Sequence, residues 1–107
     1  MDLKRYGDRL LTLRRQAGLS QEQLATALTA LAQAGPADEF RVVDGTLLSR
    51  WESARDHKGR QWKPTRAYVI HLIRLFAGFL DSETARKWAV DAGFQVSQEE
   101  LRAIFPP

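Results

Sequence analysis

The sequence predicts an all-α fold, a bundle of five to six helices forming one domain over residues 1–107. Three observations predict it. Apolar side chains recur every three or four residues in successive stretches, the spacing that lines up one face of a helix. Ser, Asp, Gly and Pro stand between those stretches, where caps and stops belong. There is no alternating run long enough for a substantial strand, no low-complexity segment and no convincing internal repeat.

The elements follow in order. Leu3, Tyr6, Leu10, Leu13 and Ala17 are spaced 3, 4, 3 and 4 apart, an amphipathic first helix that Gly18 closes. Arg14 and Arg15 fall in its last turn, where a cation complements the helix dipole; a phosphate contact is the alternative use of Arg15. Ser20 with Gln23 reads as a capping box opening a second helix, which buries Leu24, Leu28 and Leu31 and stops at Gly35-Pro36. The unpaired N–H groups at its start suit a phosphate, and the Gln21 side chain adds a donor. Residues 36–42 read as a loop, with Phe40, Val42 and Val43 covering the core.

Asp44 is a suitable N-cap for a third helix, from about Gly45 to Ala54. Leu48 and Trp51 share its buried face with Leu47 beside them, so Thr46, Ser49 and Arg50 point outward. Hydroxyls and a guanidinium placed there suit base edges in a DNA major groove; the plainer reading is a solvated polar face. Residues 55–64 form a polar loop with turn signals at Gly59 and Pro64. Its basic residues Arg55, Lys58, Arg60 and Lys63 suit phosphates, and Trp62 either anchors the loop to the core or stacks on a sugar.

A fourth helix is predicted from Thr65 to Leu80. Tyr68, Val69, Leu72, Ile73, Phe76 and Leu80 form a wide apolar face that Ile70, Leu75 and Phe79 extend, as in the central strut of a bundle. His71, among apolar neighbours, is read as a core or boundary residue. Ser82 is expected to cap a fifth helix carrying Ala85, Trp88 and Ala89 and ending at Gly93. Ser97 with Glu100 is a second capping box, opening a sixth helix with Leu101, Ile104 and Phe105 that ends at Pro106-Pro107.

Composition narrows the function. The net charge is only +3, but residues 1–16 hold five basic and two acidic side chains, and residues 41–66 seven and three. Positive charge gathered in two blocks is the footprint of a polyanion partner, or else a solvated face. Without cysteine there is no disulfide or cysteine metal site. No metal-ligand spacing, Gly-rich phosphate loop or nucleophile–His–acid set is present, so no metal or cofactor is expected and an enzyme is discounted. His57 beside Asp56 in a loop makes a poor general base, because nothing holds it in place. The N-terminus is charged with no apolar run behind it, and no stretch approaches a bilayer span; a cytoplasmic protein without a membrane partner is expected.

Two stretches in order, Leu13-Arg14-Arg15-Gln16-Ala17-Gly18-Leu19-Ser20-Gln21-Glu22-Gln23-Leu24-Ala25 and Leu48-Ser49-Arg50-Trp51-Glu52, resemble the Cro/phage-repressor (XRE-type) helix-turn-helix family. The resemblance covers about residues 4–80; residues 81–107 are similar to the C-terminal helical extension of many such regulators. It implies a lambda-repressor-like domain with the third helix in the major groove, bound to double-stranded DNA as a transcriptional regulator, a repressor. By position it implies that Gln21 holds a phosphate, that Gly45, Thr46, Ser49 and Arg50 face bases, that Trp51 is core and that Glu52 pairs with Arg14. Phosphate contacts are expected from Arg15, Gln21, Arg55, Lys58, Arg60 and Lys63. The extension either covers the core or makes a homodimer contact.

The chain departs from the family in three places. About residues 29–41 are extra between the second and third helices, Gly45 leaves a base-facing position without a side chain, and Ala54 stands where the family has Gly. The insertion and the C-terminal helices would also serve a different class of function, an antitoxin or protein-interaction module with a protein partner. RNA binding lacks any module signature.

Overall fold

The computed structural model describes residues 1–35, 43–55 and 59–107. Among them are six α-helices: α1 Leu3–Gln16, α2 Gln21–Gln33, α3 Gly45–Ser53, α4 Arg66–Leu75, α5 Ser82–Asp91 and α6 Gln98–Ile104. The protein is an all-α bundle; among the described residues no strand forms, and Arg55 and Gln61 make an isolated antiparallel bridge. None of the described helices is long and apolar enough to cross a membrane.

The helix ends follow the local chemistry. Gly18 adopts φ +72°, which lets the Leu19 N–H reach the Arg14 carbonyl and the Gly18 N–H the Arg15 carbonyl. Both capping boxes form: Ser20 with Gln23 opens α2, and Ser97 with Glu100 opens α6. Asp44 accepts from the Leu47 N–H at 2.8 Å and opens α3.

Two expectations are corrected. The cap of α5 is Asp81, whose carboxylate accepts the Thr84 N–H at 2.7 Å, and Ser82 is the first helical residue. That N–H holds the Asp81 carboxyl below its ordinary range. The fourth helix stops at Leu75 and not at Leu80, followed by a 3₁₀ turn over Ala77–Phe79. Gly78 weakens the helix there. The tighter turn swings Phe79 off the buried face, and it is 51% exposed.

One core joins the helices. α1 lies against α3 and α5, α2 against α3 and α4, and α4 against α5. Tyr6, Leu10, Leu13, Leu24, Leu28, Leu48, Trp51, Leu72, Phe76 and Trp88 are all buried in it, as is His71. Tyr6 and Trp88 stack at 4.8 Å, and the Trp88 indole N–H donates to the Tyr6 carbonyl. Burial pushes the Tyr6 phenol far above its usual range. At the α1–α5 seam Arg5 grips Asp91 with two bonds of 3.0 and 2.7 Å.

α6 is tied to the start of α4. The Arg66 guanidinium lies 2.6 Å from Glu100, and this bond, with the Ser97 N–H, lowers the Glu100 carboxyl to about 2. A lowered folded-state value means that the contribution is present above the ordinary value of 4.5 and is lost as pH falls toward about 2. Glu100→Gln keeps the capping box but removes the charge. It is expected to cost about 0.5–1 kcal/mol near neutral pH, because the pair is partly solvated. That difference should vanish near pH 2. Urea unfolding of both chains across that window checks it; a pH-independent difference counts against the ion pair.

Candidate nucleic-acid interface

The site is built around a buried carboxylate. Glu52, in the last turn of α3, has a side chain only 8% exposed. Arg14, near the end of α1, donates to it from Nε at 2.6 Å and from Nη2 at 3.3 Å. Arg14 Nη1 also donates to the Leu19 carbonyl, and Gln21 Nε2 donates to Glu52 at 2.9 Å. A single acid therefore ties the end of α1, the turn after it and the first residue of α2 to the end of α3. The Arg14–Glu52 pairing implied by the resemblance is present.

Backbone approach sets the same geometry. Gly7 of α1 is buried against α3, where a Cβ would meet the Trp51 carbonyl oxygen at 2.7 Å and the Glu52 carbonyl oxygen closer still. Val43, just before α3, is clamped to α2: Thr29 Oγ accepts the Val43 N–H at 3.0 Å and donates to its carbonyl at 3.2 Å. The extra residues begin as further turns of α2, which continues to Gln33; residues 36–42 lie outside the described residues. Thr29 pins the far end of the insertion, so the mutual placement of α2 and α3 does not require a short turn.

Gly45, Thr46, Ser49, Arg50 and Ser53 of α3 line one open depression of about 860 Å³, together with Arg14, Ser20, Gln21 and Glu22 from the α1–α2 side and Arg55 beyond α3. All four residues expected to face bases are thus brought together with two of those expected at phosphates. Thr46 and Ser49 are exposed and Arg50 is half-buried. Gly45 differs from expectation. It is buried against Glu22, whose Oε1 accepts the Gly45 N–H at 3.1 Å, so that N–H is already engaged.

The expected phosphate residues do not form one group. Arg15 is exposed on the last turn of α1 and outside the depression. Gln21 is on its rim with its amide bonded to Glu52. Arg55 donates to the Gly59 carbonyl at 2.9 Å, closing its own loop, and Arg60 is exposed. Lys63 is drawn to the end of α5. Its ammonium donates to the Ala92 carbonyl at 3.1 Å and lies 4.6 Å from the Phe94 ring, so it complements the C-terminus of α5. Lys58, like His57 and Asp56, lies outside the described residues.

No family model, no curated protein and no solved structure matches this chain. The geometry itself is what bears on function.

The core contact expected of Trp62 as one of its two readings is present. The side chain packs partly buried against the core, and the Arg50 guanidinium carbon stands 5.7 Å from its ring centroid. Ala54, the C-cap of α3, has φ +60°, the left-handed conformation that glycine adopts at no cost. Sequence reasoning missed Gly7, Glu22 and Thr29. For Gly7 a signal existed: a glycine inside an amphipathic helix weakens it and marks a close backbone approach. Glu22 and Thr29 carry no such signal, because a polar residue on an exposed helical turn is ordinary.

Proposed function

We propose that this chain is a sequence-specific DNA-binding transcriptional regulator, a cytoplasmic repressor of the Cro/phage-repressor type, and a binding protein rather than an enzyme. The observation that carries the reading is the Glu52 cluster. By joining Arg14 and Gln21 it holds the start of α2 beside the polar face of α3, over one open depression.

The chemistry suits a duplex. Nine helical residues make a rod of roughly 14 Å, and a major groove admits an α-helix lengthwise. Thr46, Ser49 and Arg50 offer two hydroxyls and a guanidinium toward base edges. The Gln21 and Glu22 N–H groups, first in α2, have no intrahelical acceptor and suit a phosphate. Glu22 lies within this face, but its carboxylate is turned onto the N-terminal N–H of α3. Arg50 and Arg55 leave cationic charge there.

Selection of bound sites from random duplexes, with the salt dependence measured on the winner, tests the reading. Enrichment of one sequence with affinity falling steeply in salt is expected. A palindromic winner would identify a homodimer on paired half-sites. Arg50→Ala is expected to lose about 1–3 kcal/mol on the selected site and to relax preference at one base pair. If it weakens every duplex equally, Arg50 is not a base reader; if nothing is enriched, the DNA reading fails.

A further inference from the structure

We infer that Trp62 is a positioning residue for Arg50: the indole holds the guanidinium in the pose from which it reads a base. The inference rests on the DNA reading proposed above.

Arg50 projects from the middle of a short helix on a long, flexible stem. Left to itself such a side chain samples many rotamers, and ordering it on binding costs affinity. Among the described residues no carboxylate pairs with Arg50, in contrast to Arg14, whose guanidinium is bonded to Glu52 and the Leu19 carbonyl. What stands against Arg50 is the face of Trp62, 5.7 Å away, within the range of a cation–π contact. Such a contact restrains the guanidinium plane while leaving its N–H donors at the edge available. Stacking is therefore compatible with base reading, whereas an ion pair would consume the donors.

The platform is itself well held. The Trp62 N–H donates to the Ala54 carbonyl at 3.0 Å, which returns the chain to the end of α3. The Arg55–Gln61 bridge closes the loop just before it. Pro64, two residues on, is fully buried. The indole is partly buried against the core and reaches Arg50 with its remaining surface. The left-handed Ala54 ends α3 and lets the Arg55 N–H reach the Arg50 carbonyl at 3.1 Å.

The test compares the full chain with Trp62→Leu, Trp62→Phe, Arg50→Ala and the Arg50→Ala/Trp62→Leu double variant. Binding is measured on the selected duplex, on its single-base variants and on random duplex. Trp62→Leu is expected to narrow discrimination at the Arg50-dependent base pair by about two- to five-fold, the size of an exposed cation–π contact, with random-duplex affinity unchanged. Trp62→Phe, which keeps a ring, should restore most of it. The double variant should discriminate no worse than Arg50→Ala. Without DNA, ring-current shifts should move the Arg50 δ-methylene protons upfield in the wild type and not in Trp62→Leu. If leucine unfolds the chain by its amide spectrum, Trp62→Met takes its place.

Unshifted Arg50 methylenes, equal weakening on all duplexes, loss in the phenylalanine variant as large as in leucine, or full additivity in the double variant would each overturn the inference while leaving DNA binding intact. Absence of any selected duplex overturns the DNA reading and the base-reading role with it, even where the methylene shift is seen.

Discussion

Glu52→Ala is expected to destabilise the fold by about 3–5 kcal/mol, the range for breaking one side of a buried ion pair. The carboxylate accepts three bonds, two from Arg14 and one from Gln21. Removing it leaves the guanidinium of a side chain only 13% exposed with the Leu19 carbonyl as its remaining acceptor. The loss is the cost of an uncompensated buried charge, not the net worth of the pair. Replacing both partners, as Arg14→Met with Glu52→Leu, should therefore recover most of the stability. It should not recover function on the DNA reading, since Gln21 then loses the acceptor that fixes its side chain to the end of α3. Urea unfolding of the two variants beside the wild type measures the first statement. A single-variant loss below about 1 kcal/mol would mean that the pair is solvated like a surface one.

Gly7→Ala is expected to cost about 2–3 kcal/mol, although alanine is the better helix former by about 1 kcal/mol. A methyl group at this position points into the carbonyl oxygens of Trp51 and Glu52, and the colliding atoms are backbone. They cannot turn aside as the end of a side chain can. Relief requires α1 and α3 to separate, which loosens Leu10 and Leu48 and stretches the Arg14–Glu52 bonds. The same substitution at Gly45 meets the end of the Glu22 side chain, which can rotate away, so its effect should be much smaller. Chemical denaturation of the two alanine variants side by side separates the cases. A Gly7→Ala chain as stable as the wild type would show that the helices do not approach this closely.

These two positions mark where sequence reading succeeded and where it stopped. Glu52 and Arg14 were reachable because the order Leu-Ser-Arg-Trp-Glu, after an Arg at the end of the first helix, resembles a known pattern that supplies the pairing. The helices were reachable from residue spacing and caps. At Ser20, Asp44 and Ser97 the donor and acceptor are three residues apart, so the interaction is written within one turn. The end of α4 was not, because helical periodicity continues through Phe79 while the backbone has already tightened into a 3₁₀ turn.

The local signals establish which segments are helical, where α2, α3 and α6 begin and that together they make an all-α bundle. They establish this because caps and apolar stripes act over three or four residues, and their energies do not depend on a distant partner. Apart from the Arg14–Glu52 pair, how the helices meet was settled only by the tertiary structure. Gly7 lies on the carbonyls of α3, Thr29 clamps Val43, Glu22 accepts the Gly45 N–H, and Trp62 stands beside Arg50. Each of these joins residues from different elements through a side chain or a close backbone approach whose partner leaves no mark in its own neighbourhood. The polar face of α3 was visible in the order of its residues; that it opens onto the start of α2, with the Gly45 N–H engaged and Lys63 drawn to the end of α5, became visible only once the core had brought the helices together.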